Sequence, residues 1–140
     1  SDANKQYSSS DAMRITSGTS PFYSNWLNTS AQDVSDMQTA IANKDFAALG
    51  AIAEQNSQAM HATMLLSKPS IMYAKPETIR IIKQLWHLRE NGLPLYFTQD
   101  AGPNIKIIFL VKDMVRVKAE FPSMEVITPF QKVDENVNAI

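Results

Sequence analysis

No cysteine occurs in the chain, which excludes disulfides, thiolate metal sites and a cysteine nucleophile. Glycine is nearly as scarce. Gly18, Gly50, Gly92 and Gly102 each stand alone, and neither G-x-G-x-x-G nor G-x-x-x-x-G-K-[ST] can be written from them. A glycine-rich loop that brings backbone amides against a nucleotide's phosphates is therefore missing, and any use of ATP needs a nucleotide loop elsewhere. His61 and His87 are the only imidazoles, too few for a multi-histidine centre, so no metal site is expected. An excess of either charge is also lacking. Thirteen basic side chains oppose fourteen acidic ones, without the basic surplus that nucleic-acid binding requires. No apolar run approaches the roughly 20 residues that cross a bilayer, so a soluble protein with no membrane partner is expected.

What is present suits one globular unit. The 140 residues, 44% of them hydrophobic, predict a single domain over residues 1–140 with one core. Ser1 to Thr19 is rich in serine and reads as a loop leading into a helix around Tyr23–Leu27. Ser30 is placed to cap a further helix whose Val34, Met37 and Ile41 share one face. Asp45 is placed to cap the next, which carries Phe46, Leu49, Ile52, Ala53 and Met60, giving an antiparallel helical hairpin. Pro76, Glu77, Asn91-Gly92 and Pro94 bracket another helix with start and stop signals in the expected order, with Ile79, Ile82 and Trp86 inward. Leu95–Thr98 and Ile105–Val111 read as strands around the turn-rich Gln99–Asn104. Asp113 would cap a last helix with Met114, Val117 and Phe121 inward; Met124–Thr128 would form a final strand, and the tail after Phe130 would fray. The order predicts an α+β fold, an antiparallel sheet covered by helices.

The segment Asp100-Ala-Gly-Pro-Asn104 carries the chemistry. The residue before proline is driven to extended geometry, and alanine and glycine leave the space over Asp100 open to a ligand. Apolar strands on both sides would give the carboxylate the rigid support a catalytic acid or base needs. The competing reading, a tight turn whose carboxylate bonds nearby amides, is favoured by spacing alone. His61 reads as a structural histidine. His87 reads as partly solvated, and Trp26 and Trp86 as packing residues. Lys106 reads as an outward-facing strand lysine.

A resemblance shifts that balance. Asp100-Ala-Gly-Pro-Asn104 after Tyr96-Phe-Thr98 is similar to the aspartate motif of the mevalonate diphosphate decarboxylase family, within the GHMP kinase superfamily. Ser8-Ser9 with Met13, Thr19-Ser-Pro-Phe-Tyr23 with Trp26-Leu27, Asn43-Lys-Asp-Phe46 and Met60-His-Ala-Thr63 resemble that family's carboxy-terminal half, in order. The resemblance implies a GHMP-type carboxy-terminal domain in an enzyme that binds mevalonate 5-diphosphate and ATP with magnesium. It phosphorylates the tertiary hydroxyl, and loss of phosphate and carbon dioxide yields isopentenyl diphosphate. On this sequence it makes Asp100 the catalytic carboxylate, with Ser9, Ser10 and Met13 at the substrate. Ser10 stands where arginine is common, which removes a bidentate cationic contact, and Ala12 stands where glycine is usual. The nucleotide loop belongs to an amino-terminal GHMP domain that these residues do not match, so the 140 residues alone are expected to be inactive and one sheet edge left open. A homodimer and a cytoplasmic location follow from the same likeness. Two other functions stay open: a mevalonate-type kinase without decarboxylation, and a non-catalytic ligand-binding or oligomerisation module.

Overall fold

The structure is a computed structural model that describes residues 7–129. The expected frayed tail after Phe130 lies outside the described residues. Among the described residues, five α-helices and one antiparallel strand pair follow in the order α1 (Ser9–Thr19), α2 (Tyr23–Ala42), α3 (Phe46–Leu65), α4 (Pro76–Glu90), β1 (Leu95–Gln99), β2 (Ile105–Phe109) and α5 (Met114–Glu120). The α+β expectation holds, with a sheet of two strands.

The local signals that act over a few residues form as expected. Asp45 accepts the Ala48 N–H at 3.0 Å and starts α3. Pro76 opens α4, and Gly92, with φ +86°, closes it in the left-handed region that glycine enters without strain. Leu95 pairs with Phe109 and Gln99 with Ile105, so residues 100–104 form the hairpin loop.

Six expectations are corrected. Ser9–Thr19 is helix rather than loop: Ser8 caps it by accepting the Asp11 N–H at 3.1 Å, and its buried positions are the small Ala12 and Thr16. Ser30 caps nothing, because α2 runs unbroken through it, and its hydroxyl instead accepts from Asn56 of α3. Val34 and Ile41 are 60% and 59% exposed, so the stripe on α2 is not core. On α4 the fully buried residue is Leu85, while Ile79 and Trp86 stand 45% and 37% exposed. Met124–Thr128 forms no strand, and Asp113 leads α5 through a short 3-10 turn (Val111–Asp113) without a side-chain cap bond.

Two apolar clusters hold the molecule. Leu85, Leu93, Leu95, Phe97 and Val117 form the first, between α4, α5 and one face of the hairpin. Ala12, Met64, Ile71 and Tyr73 form the second, which ties α1 to the end of α3 and takes in Met13 and Ala101. The other hairpin face meets α3, where Gly50 lets the Tyr96 ring lie against the helix backbone. Phe46 packs edge-on to that ring with centroids 5.6 Å apart, and the Arg89 guanidinium sits 4.6 Å from its centre. Arg89 also makes a two-pronged ion pair with the buried Glu54, at 2.8 and 3.0 Å, and Trp86 donates its indole N–H to the same carboxylate at 2.7 Å. The buried carboxylate is thus matched by three N–H donors from α4, as burial of a carboxylate demands.

Candidate functional site

The bend that carries Asp100 is fixed before its side chain is considered. At its start the Gln99 N–H donates to Ser57 Oγ at 2.9 Å, and Ser57 Oγ–H returns a bond to the Gln99 carbonyl at 3.1 Å. His61 Nε2 lies 3.2 Å from the same carbonyl. Within the loop, Gly102 N–H donates to the Asp100 carbonyl at 2.7 Å, and the buried Gln99 amide donates to the Gly102 carbonyl at 2.7 Å. At its far side Thr78 of α4 donates to the Pro103 carbonyl at 2.8 Å. Ala101 is packed into the second apolar cluster. Two helices and the loop's own amide therefore hold the backbone on both sides of Asp100, which fixes where the carboxylate emanates.

The carboxylate itself is exposed, with 71% of its side chain accessible, and it forms an ion pair with Lys106. Lys106 lies opposite Thr98 across the hairpin, so it projects on the same face as the bend. As a strand lysine it is exposed, as expected, but its pairing with Asp100 went unread in the sequence. Exposed pairs contribute about 0–1 kcal/mol, so breaking this one costs little.

Asp100 stands at one end of a cleft of about 600 Å³ between α2 and α3. Trp26, Val34 and Met37 from one helix and Ile52 and Met60 from the other make its walls largely apolar. Across it, Asn56 Nδ2 bonds Asp33 at 2.7 Å and Ser30 at 2.9 Å, tying the helices together. The Trp26 indole N–H is buried there without a partner.

The other expected site residues lie on α1. Ser9 and Ser10 are exposed in its first turn, and Met13 is half-buried in the second apolar cluster beside Ala101. Met13 and the bend thus share one cluster, whereas Ser9, Ser10 and Met13 are not among the residues lining the α2–α3 cleft. His61 is structural in its contacts: its ring meets Tyr73 edge-on at 6.3 Å, and burial lowers its pKa below 6.5, opposed by hydrogen bonding to the Gln99 and Asp100 backbone and by the Asp100 charge. Sequence reading missed Ser57 and Thr78, whose partners are backbone carbonyls 42 and 25 residues away. Among the described residues no three histidine, aspartate or glutamate side chains converge to hold a metal ion, and no helix is long and apolar enough to cross a membrane.

Known proteins resemble this chain in sequence and in fold. A diphosphomevalonate decarboxylase of Debaryomyces hansenii is 34% identical over 113 residues, covering 78% of this chain and 29% of the relative. A phosphomevalonate decarboxylase of Haloferax volcanii is 32% identical over 75 residues, covering 53% of this chain and 23% of the relative. A solved structure of the mevalonate diphosphate decarboxylase from Enterococcus faecalis, described for mevalonate diphosphate mediated ATP binding, superimposes with a TM-score of 0.80 at 38% identity. It covers 82% of this chain and 36% of that one. The chain thus spans about a third of the length of the relatives it matches. The family described as the mevalonate 5-diphosphate decarboxylase C-terminal domain matches residues 1–139. A match of that extent, on a fold that presents Asp100 from a braced hairpin loop, makes the chain a member of the mevalonate 5-diphosphate decarboxylase C-terminal domain family.

Proposed function

We propose that these residues form the carboxy-terminal domain of an ATP-dependent decarboxylase that converts mevalonate 5-diphosphate to isopentenyl diphosphate, with Asp100 as its catalytic carboxylate. The observation that carries the reading is the bend: an accessible carboxylate on a backbone held from both sides by Ser57, Gln99 and Thr78. An amino-terminal GHMP domain supplies the nucleotide site and closes over this one. The working enzyme is a cytoplasmic homodimer in this reading, and the isolated domain is inactive.

Asp100 accepts a hydrogen bond from the tertiary hydroxyl and takes its proton as the oxygen attacks the terminal phosphoryl of ATP and ADP departs. Once that proton has passed to solvent, the same fixed negative charge opposes the positive charge that grows on the tertiary carbon as phosphate leaves. The electron pair of the breaking bond to the carboxylate becomes the double bond, and carbon dioxide departs. One rigidly placed anion suits both steps. Among the described residues no carboxylates and imidazoles converge on a magnesium site, and in this reading the amino-terminal domain holds that ion.

Ser9, Ser10 and Met13 are the proposed substrate contacts. A second reading concerns the phosphate end. The first turn of α1 carries Ser9, Ser10 and Asp11 and no basic residue, and Arg14 one turn on is paired with Asp11 at 3.5 Å. That surface offers less positive charge than a diphosphate attracts, and the Haloferax relative is a phosphomevalonate decarboxylase. Steady-state turnover of the two-domain protein with each substrate decides between them. Asp100→Asn should lower kcat by about 10²–10⁴-fold with KM little changed, the span of a lost acid–base group. Activity within a few-fold of the unsubstituted protein would sink the assignment of Asp100.

A further inference from the structure

We propose that His61 is a positioning residue for Asp100: its Nε2–H, 3.2 Å from the Gln99 carbonyl, fixes the peptide from which Asp100 projects, while its ring couples that peptide through Tyr73 to the start of α1. The inference rests on the reading of Asp100 given above and adds a role to a residue that this reading leaves idle.

Three observations converge on it. First, the Gln99 carbonyl accepts from two side chains of one helix, Ser57 and His61, one turn apart on α3. Ser57 alone already satisfies that oxygen and the Gln99 N–H, so stability does not require a second donor there. What the second donor adds is direction, because two donors on one carbonyl fix the plane of the peptide linking Gln99 to Asp100. Second, the ring is held as well as holding. Tyr73 stands at 89° to it, and the Tyr73 hydroxyl donates to the carbonyls of Tyr7 at 3.1 Å and Ser8 at 3.4 Å. Ser8 is the residue that caps α1, immediately before Ser9 and Ser10. The chain of contacts therefore runs from the α1 cap through Tyr73 and His61 to the peptide of Asp100. Third, the imidazole is suited to a fixed donor. Burial disfavours its cation more than the neighbouring backbone and the Asp100 charge favour it, and a carbonyl oxygen can only accept, so the bond to Gln99 calls for a proton on Nε2. The ring makes no ion pair and faces a carbonyl rather than the cleft, which separates this role from general acid–base catalysis.

The test uses the two-domain protein with mevalonate 5-diphosphate, after turnover by the unsubstituted enzyme has been established; absence of that turnover counts against the proposed function, not against this inference. His61→Phe keeps a ring against Tyr73 and removes the donor. Its kcat should fall by at least tenfold with KM within about twofold, and His61→Gln, which restores an N–H donor, should recover most of the loss. The ratio of His61→Phe to unsubstituted kcat should stay constant from pH 6 to 9. Tyr73→Phe, which frees the α1 cap, should instead raise KM. Unchanged kcat in His61→Phe would overturn the proposal, and so would loss of a pH limb, which would make His61 a proton donor or acceptor. If His61→Phe does not fold, the 15N spectrum of the unsubstituted ring still decides. A proton on Nε2 at neutral pH supports the proposal, and a proton on Nδ1 alone overturns it.

Discussion

Replacing Gly50 by alanine tests the packing of α3 on the hairpin, because two physical effects of opposite sign act on the same methyl group. In the interior of a helix, alanine is favoured over glycine by about 0.8–1.0 kcal/mol. Here, though, a Cβ on residue 50 would lie 2.1 Å from Cδ2 and 2.3 Å from Cγ of Tyr96, far inside van der Waals contact. The ring cannot swing away freely, since Phe46 meets its edge at 5.6 Å and Arg89 covers its face at 4.6 Å. Forcing a methyl into a packed site costs about 1–3 kcal/mol. Displacing the ring forfeits an aromatic contact of about 0.5–1.5 kcal/mol and a cation–π contact of about 0.5–1 kcal/mol. Set against the helical preference, the net loss for Gly50→Ala is about 1–5 kcal/mol, read as a lower urea midpoint at unchanged slope. In a Tyr96→Val background the obstacle is gone, and the same substitution should become neutral or stabilising by up to about 1 kcal/mol. The sign change across the double-mutant cycle is the decisive result. An equal cost of Gly50→Ala in both backgrounds would refute the argument that the ring is what requires glycine.

Two further outcomes follow from the charged and titrating groups. Glu54→Leu leaves the Arg89 guanidinium partly buried beside Tyr96 without its carboxylate, and should cost about 3–5 kcal/mol in chemical denaturation. Glu54→Leu with Arg89→Met should cost clearly less than the sum of the two single changes, and additivity would show that the pair is not coupled. For His61 the folded pKa lies below 6.5, so the unfolded chain binds more protons in the interval beneath that value. Its contribution is therefore complete above pH 6.5 and is lost as the pH falls through the folded pKa. The stability advantage of the natural chain over His61→Phe should shrink between pH 7.5 and pH 5; an advantage that grows on acidification would contradict the sign of the shift.

What could be read from the sequence divides by how far apart the interacting groups lie. Asp45, Pro76 and Gly92 act on backbone within one turn of themselves, and each does what its residue type dictates. The loop of Asp100 was legible for the same reason, since turn residues set their own dihedral angles. Helix α1 escaped because its fully buried positions, Ala12 and Thr16, are small side chains in a serine-rich stretch. Ser30 looked like a cap because a hydroxyl before a polar stretch carries that signal. Its actual partner, Asn56, is 26 residues further on. Glu54 sits on a helix where a carboxylate normally faces water, and nothing local announces that Arg89, 35 residues away, will meet it. The site shows the same division. Its carboxylate comes from a local motif, whereas the backbone beside it is bonded by Ser57, His61 and Thr78, polar side chains on two helices that meet main-chain carbonyls. A main-chain carbonyl is present at every residue, so no sequence pattern tells which one a serine, histidine or threonine will take. The position of Asp100 is therefore decided by helix packing, and substitutions that shift α3 against β1, at Gly50 or Glu54, should disturb the carboxylate although neither residue touches it.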